Sequence, residues 1–370
     1  MIDEVGPPNI DRLVATLSGR QPDRVPLLED YVQTPTLEHV LGYVPAGRTG
    51  GASKPAEIGA LEASGAMPAR PFYADMLSTL STVTIPPADY LEFCRRTGID
   101  AMVVWLSWTG LHTSLVSRGE VQDWPDIERM ETPPGMDAVR ERMARYQAVA
   151  IGSSVGIGPQ VHSCFARAYE ALGFENFSYK LYDDLKLVLR LMDLFTEYGV
   201  AVAETVAGMG IPFFWLCDDV ADSHGLMVRP QFMREQWLPR TRRILAPIKA
   251  RGIPVIYHCD GNLRSVIPLA LELGVAALQP IQAGCNDIYA IKKDVGDRLA
   301  LIGNLDIAGT LTFGTPQAVT ADAREHLRRL GAGGRYVLGS SHSITGDIPP
   351  ANFDAMVRAA WEHGRYPVPG

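Results

Sequence analysis

The chain has few cysteines, no long hydrophobic run and no cluster of basic residues. Its five cysteines are scattered over 370 residues without a C-x-x-C pair, which argues against a disulfide framework and favours a reducing compartment. No stretch reaches the roughly 18–20 apolar residues that cross a bilayer. The acidic first residues lack the pattern of a signal peptide. We therefore expect a cytoplasmic protein without a membrane partner.

Charge is spread along the chain. The formal net charge is -8, from 34 Lys and Arg against 42 Asp and Glu, and like charges occur only in short pairs. Nucleic-acid binding needs a concentrated basic face, so we expect no nucleic-acid partner. The hydrophobic content of 46% is enough for a large core, in one elaborated barrel or in two ordinary domains.

Short apolar runs alternate with amphipathic helical patterns. The runs are continuously apolar, as is typical of parallel strands buried on both faces. We place them at 24–30, 101–107, 148–155, 213–219, 254–260, 276–282, 300–306 and 336–343. Helical patterns lie between the later ones, for example at 230–251, 263–273 and 316–330. Eight such units predict an α/β fold, a distorted (β/α)8 TIM-type barrel in a single domain over residues 1–370.

Three segments stand apart from this repeat. A helical pattern precedes the first run and predicts an N-terminal helical extension. Residues 43–70 are rich in Gly, Ala and Pro, and we expect an insertion or lid over the barrel mouth. The glycine-rich segment 152–158 lacks the spacing of phosphate and dinucleotide loops, so we interpret it as a flexible loop of the active site.

Polar side chains close nearly every predicted strand. In a barrel, reacting groups lie where strands end and the following loops begin, so these side chains should meet at one mouth. The catalytic candidates are Glu29, Asp219 and His342. Of the pair Asp218 and Asp219, one residue could cap a helix, and we favour Asp219 as the functional one. The candidates for substrate binding are Ser107, Trp108, Asp218, Gln282 and Asn304.

The segment His258-Cys259-Asp260 predicts a metal site. Residues along a strand alternate in direction, so His258 and Asp260 share one side and Cys259 faces the other. With His342 from the eighth run they supply three ligands and leave a fourth position open, which is the pattern of catalytic zinc. Two alternatives stay open. His258 and Asp260 could position a substrate without metal, or a bulge could make Cys259 the ligand in place of Asp260.

The chain resembles the uroporphyrinogen decarboxylase superfamily. Residues 12–17 and 19–26 are similar to its N-terminal signature, and residues 338–344 with 348–353 are similar to its C-terminal signature. Residues 303–306, followed by 314–316, also resemble the superfamily. The resemblance runs along nearly the whole chain, and it implies a distorted (β/α)8 barrel.

The chain departs from the superfamily's decarboxylases at two places. Those enzymes carry an arginine-rich segment after the first strand and an aspartate at the end of the second. Here residues 28–34 are acidic and without arginine, and the second run ends in Ser107-Trp108. An anionic tetrapyrrole would meet carboxylates where it needs guanidinium groups. We therefore expect no porphyrinogen decarboxylation, which stays an alternative function.

The chain looks more like the superfamily's cobalamin-linked methyltransferases. Their zinc is held by a His-x-Cys pair and a later cysteine, and these positions resemble His258, Asp260 and His342. Replacing thiolates by carboxylate and imidazole suits an oxygen substrate better than a thiol. The resemblance implies a zinc-assisted methyltransferase that demethylates a small O-methyl compound, such as a methoxylated aromatic. The methyl acceptor would be cobalamin on a separate corrinoid protein, because residues 222–227 miss the last glycine of the cobalamin-ligand motif.

Two further functions stay open. One is methyl transfer between a corrinoid and tetrahydrofolate, whose pterin the acidic mouth residues would hold. The other is a catalytically silent ligand-binding barrel. Bound zinc would favour the demethylase, pterin binding without zinc would favour the folate enzyme, and neither would favour the silent barrel. A homodimer is compatible with each of them.

Overall fold

The computed structural model describes residues 5–46, 80–108, 119–130 and 132–368. In this part of the chain, seven strands form one parallel sheet, and each pairs with the next in the sequence. A two-stranded hairpin follows the third strand. The sheet strands are β1 (Ala101–Trp105), β2 (Gly156–His162), β3 (Phe214–Cys217), β6 (Val255–His258), β7 (Ala277–Gln279), β8 (Ala300–Ile302) and β9 (Tyr336–Val337). The hairpin strands are β4 (Ala221–Asp222) and β5 (Gly225–Leu226).

Residues 24–32 lie between the two edges of this curled sheet. Leu27 forms a parallel bridge with Leu338 beyond β9. On the other side, the carbonyl of Leu27 accepts a hydrogen bond of 3.1 Å from the amide of Asp100, which precedes β1. The predicted first run is therefore a seam of isolated bridges in place of a regular strand. With it, the sheet completes the distorted TIM-type barrel that the sequence predicts.

Helices cover the outside of the sheet. The first six in the described residues are α1 (Ile10–Leu17), α2 (Thr36–Leu41), α3 (Pro87–Thr97), α4 (Trp124–Ile127), α5 (Met136–Ala150) and α6 (Cys164–Leu172). They are followed by α7 (Phe174–Asp183), α8 (Leu185–Ala207), α9 (Pro230–Phe232), a π-helical turn (Met233–Trp237) and α10 (Leu238–Lys249). The last are a 3-10 turn (Leu263–Ser265), α11 (Ile267–Leu273), α12 (Ile288–Val295), α13 (Thr310–Phe313), α14 (Pro316–Gly331) and α15 (Pro350–His363). None of these helices is both long enough and apolar enough to span a bilayer.

The buried core has an inner and an outer part. The inner core fills the barrel and takes alternate strand residues, such as Val103, Trp215 and Ile256. Leu13 and Leu17 of α1 also belong to it, so the predicted N-terminal helix packs against the barrel interior. The outer core lies between the sheet and the helices. This division explains the continuously apolar runs, because both sides of each strand are buried.

Two sequence-based predictions about the region before β2 are wrong. The third run, predicted at 148–155, is the end of α5 and a turn, and β2 begins at Gly156. The segment 152–158 is therefore no active-site loop, because it enters the strand at the end opposite the mouth. Glycine and proline are uncommon within strands, so β2 gives a weak strand signal. The insertion predicted at 43–70 falls largely outside the described residues.

Candidate active site

Three side chains meet at the C-terminal ends of the strands, which form the mouth of the barrel. His258 ends β6, Asp260 follows it by two residues, and His342 follows β9. One ligand atom from each residue lies within 4.8 Å of the other two. Asp260 Oδ2 is 3.3 Å from His342 Nε2, and Asp260 Oδ1 is 3.9 Å from His258 Nε2. The structure thus brings the three predicted metal ligands together.

Strand alternation explains why His258 and Asp260 share a side. Ile256, two residues earlier, belongs to the inner core, whereas Tyr257 and Cys259 belong to the outer core. Cys259 is fully buried there, and its thiol donates to the carbonyl of Asp260 at 3.2 Å. The structure places the carboxylate of Asp260, and not the thiol of Cys259, beside the histidines.

Gln279, the last residue of β7, contacts both histidines. Its side-chain oxygen pairs with Nδ1 of His258, and its amide nitrogen donates to the carbonyl of His342 at 3.2 Å. Because an amide oxygen can only accept, the proton of a neutral His258 lies on Nδ1. Its Nε2 lone pair is then free to face Asp260. A fixed partner on the second ring nitrogen is typical of metal-binding histidines.

The donor atoms present in this cluster fit a zinc ion. Asp260 Oδ1 is buried and has no hydrogen-bond partner, which is costly for a carboxylate oxygen. A cation would satisfy this oxygen together with one nitrogen from each of His258 and His342. Two imidazoles and one carboxylate form a catalytic zinc set with an open fourth position.

Carboxylates dominate the electrostatics of the mouth. Burial lowers the pKa of His342, but Asp260 and then Asp30 and Asp219 outweigh it and raise that pKa to about 9. Burial also lowers the pKa of His258, but Asp260 and then Asp219 outweigh it and raise that pKa. Burial raises the pKa of Asp260, but the two histidines outweigh it and lower that pKa. These surroundings favour a cation among the three residues.

Asp219, a predicted catalytic residue, lies beside the cluster. Its Oδ1 accepts a hydrogen bond of 2.8 Å from the amide of Asp260 and is 3.7 Å from His258 Nε2. Burial and the neighbouring Asp260 raise its pKa. An aspartate that holds its proton more readily is suited to act as a general acid.

Glu29, the other acidic catalytic candidate, is buried in the seam of the barrel. Its two carboxylate oxygens accept from the amide and the hydroxyl of Ser340 at 2.8 and 2.6 Å, and burial raises its pKa to about 8. Its neighbour Asp30 accepts from the side chains of Gln160 at 2.8 Å and Trp105 at 3.4 Å. Glu29 thus links the first segment to the residues just after the last strand, while Asp30 acts electrostatically on the histidines.

Two predicted substrate-binding residues form hydrogen bonds within the scaffold. Asp218 accepts from the first backbone amides of α6 and from the indole of Trp237 at 2.7 Å. The amide of Asn304 donates to a carbonyl of the loop after β7 at 2.6 Å, and its oxygen pairs with His326 of α14 at 3.0 Å. These polar atoms are engaged by scaffold groups, so we assign neither residue a substrate contact.

The remaining three predicted substrate-binding residues have different positions. The hydroxyl of Ser107, just after β1, lies 2.5 Å from Nδ1 of His162 at the end of β2. Trp108 packs outside the sheet, with its ring 5.3 Å from that of Phe195 on α8. Gln282 is exposed, and its side-chain oxygen accepts from a backbone amide of the loop after β6 at 2.9 Å. Trp108 is therefore part of the outer core, whereas Ser107 lies just after β1 and Gln282 lies in the loop after β7.

Sequence reasoning missed two glutamines of the site. Gln279 lies inside the run predicted at 276–282, whose end the prediction places at Gln282, three residues beyond the end of β7. Gln160 lies in β2, which the prediction displaces. A single polar residue within a buried strand is the signal that could have identified both, because buried polar groups need partners.

The uroporphyrinogen decarboxylase (URO-D) family model matches residues 81–363. The chain belongs to the uroporphyrinogen decarboxylase family. This agrees with the family resemblance of its sequence motifs, and the family and its relatives indicate a methyltransferase or a decarboxylase-like enzyme.

Its relatives include both kinds of enzyme. A methylated-thiol–coenzyme M methyltransferase of Methanosarcina mazei is 25% identical over 65% of this chain and 61% of the relative, so less than two thirds of that protein is matched. A uroporphyrinogen decarboxylase of Chlorobaculum tepidum is 24% identical over 74% of this chain and 81% of the relative. A solved methyltransferase structure from Methanosarcina mazei is 19% identical, with a TM-score of 0.67 over 96% of this chain and 99% of that chain. The solved structure shows that the fold is shared.

Proposed function

We propose that the chain is a zinc-assisted methyltransferase, which demethylates a small O-methyl compound onto the corrinoid of a separate protein. A methoxylated aromatic is the donor class we favour. The observation that carries the proposal is the cluster of His258, Asp260 and His342 around an unpartnered carboxylate oxygen. A methyltransferase among the relatives supports the reaction type. The absence of a thiolate from the cluster supports oxygen, in place of sulfur, as the atom that loses the methyl group.

The chain's own residues have separate tasks in this reaction. His258, Asp260 and His342 would hold zinc, and Gln279 fixes the ring of His258. When bound, zinc supplies Lewis-acid stabilisation of the leaving oxygen. Asp219, which lies next to the cluster and has a raised pKa, would donate a proton to that oxygen.

Methyl transfer from defined donors tests the proposal. The protein is supplied with zinc, cob(I)alamin and either methanol, 2-methoxyphenol or 4-methoxybenzoate, and methylcobalamin is followed by absorbance. We expect methylcobalamin from at least one methoxylated aromatic. We also expect a loss of kcat and kcat/KM together in His258→Ala, with retention of the fold checked by thermal unfolding. The absence of transfer from every donor would contradict the proposal, and so would transfer from methyltetrahydrofolate alone.

Uroporphyrinogen gives the contrasting prediction. Residues 28–34, which carry arginines in the decarboxylases, place Glu29 and Asp30 next to the mouth instead. Without guanidinium groups in this segment, the acidic side chains of a porphyrinogen have no charged partner here, so we expect no turnover. The measurement is product analysis after anaerobic incubation with uroporphyrinogen. Accumulation of coproporphyrinogen would show that the chain is a decarboxylase.

A further inference from the structure

A cavity of about 430 Å³ lies beside the mouth, at the C-terminal end of β1. This volume is within the roughly 300–1,000 Å³ of small-molecule sites. Trp105, the last residue of β1, and Ser107 just after it form one side of the cavity. The opposite side is formed by α5 and the residues just before it, with Pro134, Ala138 and Val139 providing apolar surface. The cavity thus lies between the outer edge of the mouth and an apolar surface.

Two arginines of α5 line this cavity, Arg142 and Arg145. Arg142 is half-buried, its Nε is buried without a hydrogen-bond partner, and one terminal nitrogen donates to the carbonyl of Val83 at a long 3.5 Å. Within the described residues, no carboxylate lies at ion-pair distance from either arginine. By contrast, Arg140 on the exposed side of the same helix pairs with Asp137 at 2.6 Å.

Among the residues that the structure describes, no negative charge balances these two arginines. Side chains three residues apart on a helix are neighbours, so Arg142 and Arg145 repel each other. A carboxylate in the cavity would offset this repulsion, because a guanidinium binds carboxylates through two parallel hydrogen bonds. The apolar surface then fits the hydrocarbon part of the same molecule.

We propose that this cavity binds the carboxylate of an aromatic acid, through Arg142 and Arg145. Trp105 connects the cavity to the mouth, because its indole donates to Asp30 at 3.4 Å. The ring of Tyr31 lies 5.8 Å from that of Trp105 and 6.2 Å from that of His342. One aromatic side chain therefore separates the wall of the cavity from the metal cluster. That the acid is the methyl donor rests on the function proposed above; the binding of the anion does not.

Calorimetric titration with 4-methoxybenzoate tests this inference in the absence of corrinoid. We expect the Kd to rise at least about tenfold, or 1.4 kcal/mol, in Arg142→Gln and in Arg145→Gln. Arg145 is exposed, so its replacement leaves the fold intact even if that of Arg142 does not. Arg140→Gln is the matched control on the same helix and should bind like the wild type. The neutral 4-methoxybenzamide should bind weakly to all four proteins.

Three results of the titrations themselves would overturn the inference, and a competition experiment adds a fourth. They are no binding of 4-methoxybenzoate to the wild type, an unchanged Kd in Arg145→Gln, and equally tight binding of 4-methoxybenzamide. Inorganic phosphate is added as a competitor, and displacement at the same concentration would show a site for any anion and not for a carboxylate. Methyl transfer from a neutral donor without binding of the acid would overturn this inference alone. Binding of the acid without any methyl transfer would overturn only the proposed function.

Discussion

Glu29 and Asp30 are adjacent buried carboxylates with different partners. Both oxygens of Glu29 are hydrogen-bonded to Ser340, whereas Asp30 bonds to Gln160 and Trp105 at the inner core. The sequence shows two acids at a strand end and does not distinguish them, because the difference arises from residues 75 to 311 positions away. We interpret Glu29 as a residue that closes the barrel seam.

The pKa of Glu29 gives a pH-dependent prediction for Glu29→Gln. Its folded-state pKa of about 8 lies above the ordinary 4.5. Between these two pH values the folded chain therefore keeps a proton that the unfolded chain releases. The wild type therefore loses stability as pH rises from 4.5 to 8. Glutamine resembles the protonated form and can make both bonds to Ser340. We expect the stability of Glu29→Gln relative to the wild type to increase from pH 5 to pH 9.

Urea denaturation at the two pH values measures this difference. Glu141→Gln, an exposed substitution on α5, controls for the loss of a surface charge. A stability difference between Glu29→Gln and the wild type that is the same at pH 5 and pH 9 would contradict the account of Glu29.

Among the elements, β2 is where sequence and structure differ most. Its inward positions carry Gly156 and Gly158, because the inner core leaves no room for side chains there. A Cβ on Gly158 would lie 2.0 Å from ring atoms of Phe213, which belongs to the inner core. The inward positions of β2 thus need glycine because a residue far along the chain, Phe213, fills the space beside them. A local apolar pattern in the sequence cannot show this requirement. The runs at β1, β3 and β6 were predictable because their own side chains fill the barrel.

Gly158→Ala tests this account of β2. The added methyl group has to displace the Phe213 ring within a packed interior, so we expect a loss of roughly 1–3 kcal/mol in the free energy of unfolding. Gly284→Ala is the control, because its Cβ would meet nothing within 4 Å, and surface changes of this kind stay within about 0.5 kcal/mol. Chemical denaturation of both variants gives the comparison. Equal stability of the two would show that β2 does not need glycine.

For the whole molecule, the fold is shared by methyltransferases and decarboxylases, so the reaction depends on the side chains at the mouth. Alternation along one strand predicts that His258 and Asp260 face the same way, and the order of the barrel strands predicts that His342 meets them. The sequence could not predict that Gln279 holds His258, because that contact depends on where β7 ends. Nor could it separate Asp218 from Asp219, since the helix that Asp218 caps lies earlier in the chain.

The zinc content of four purified proteins tests the central claim most directly. Elemental analysis should find about one zinc per chain in the wild type, as expected for three protein ligands with an open fourth position. Cys259→Ser should keep the metal, because this thiol is packed in the outer core. His258→Ala and Asp260→Ala should lose it while remaining folded, as checked by thermal unfolding. A wild type without zinc would contradict the account, and so would a Cys259→Ser protein that loses zinc while Asp260→Ala retains it.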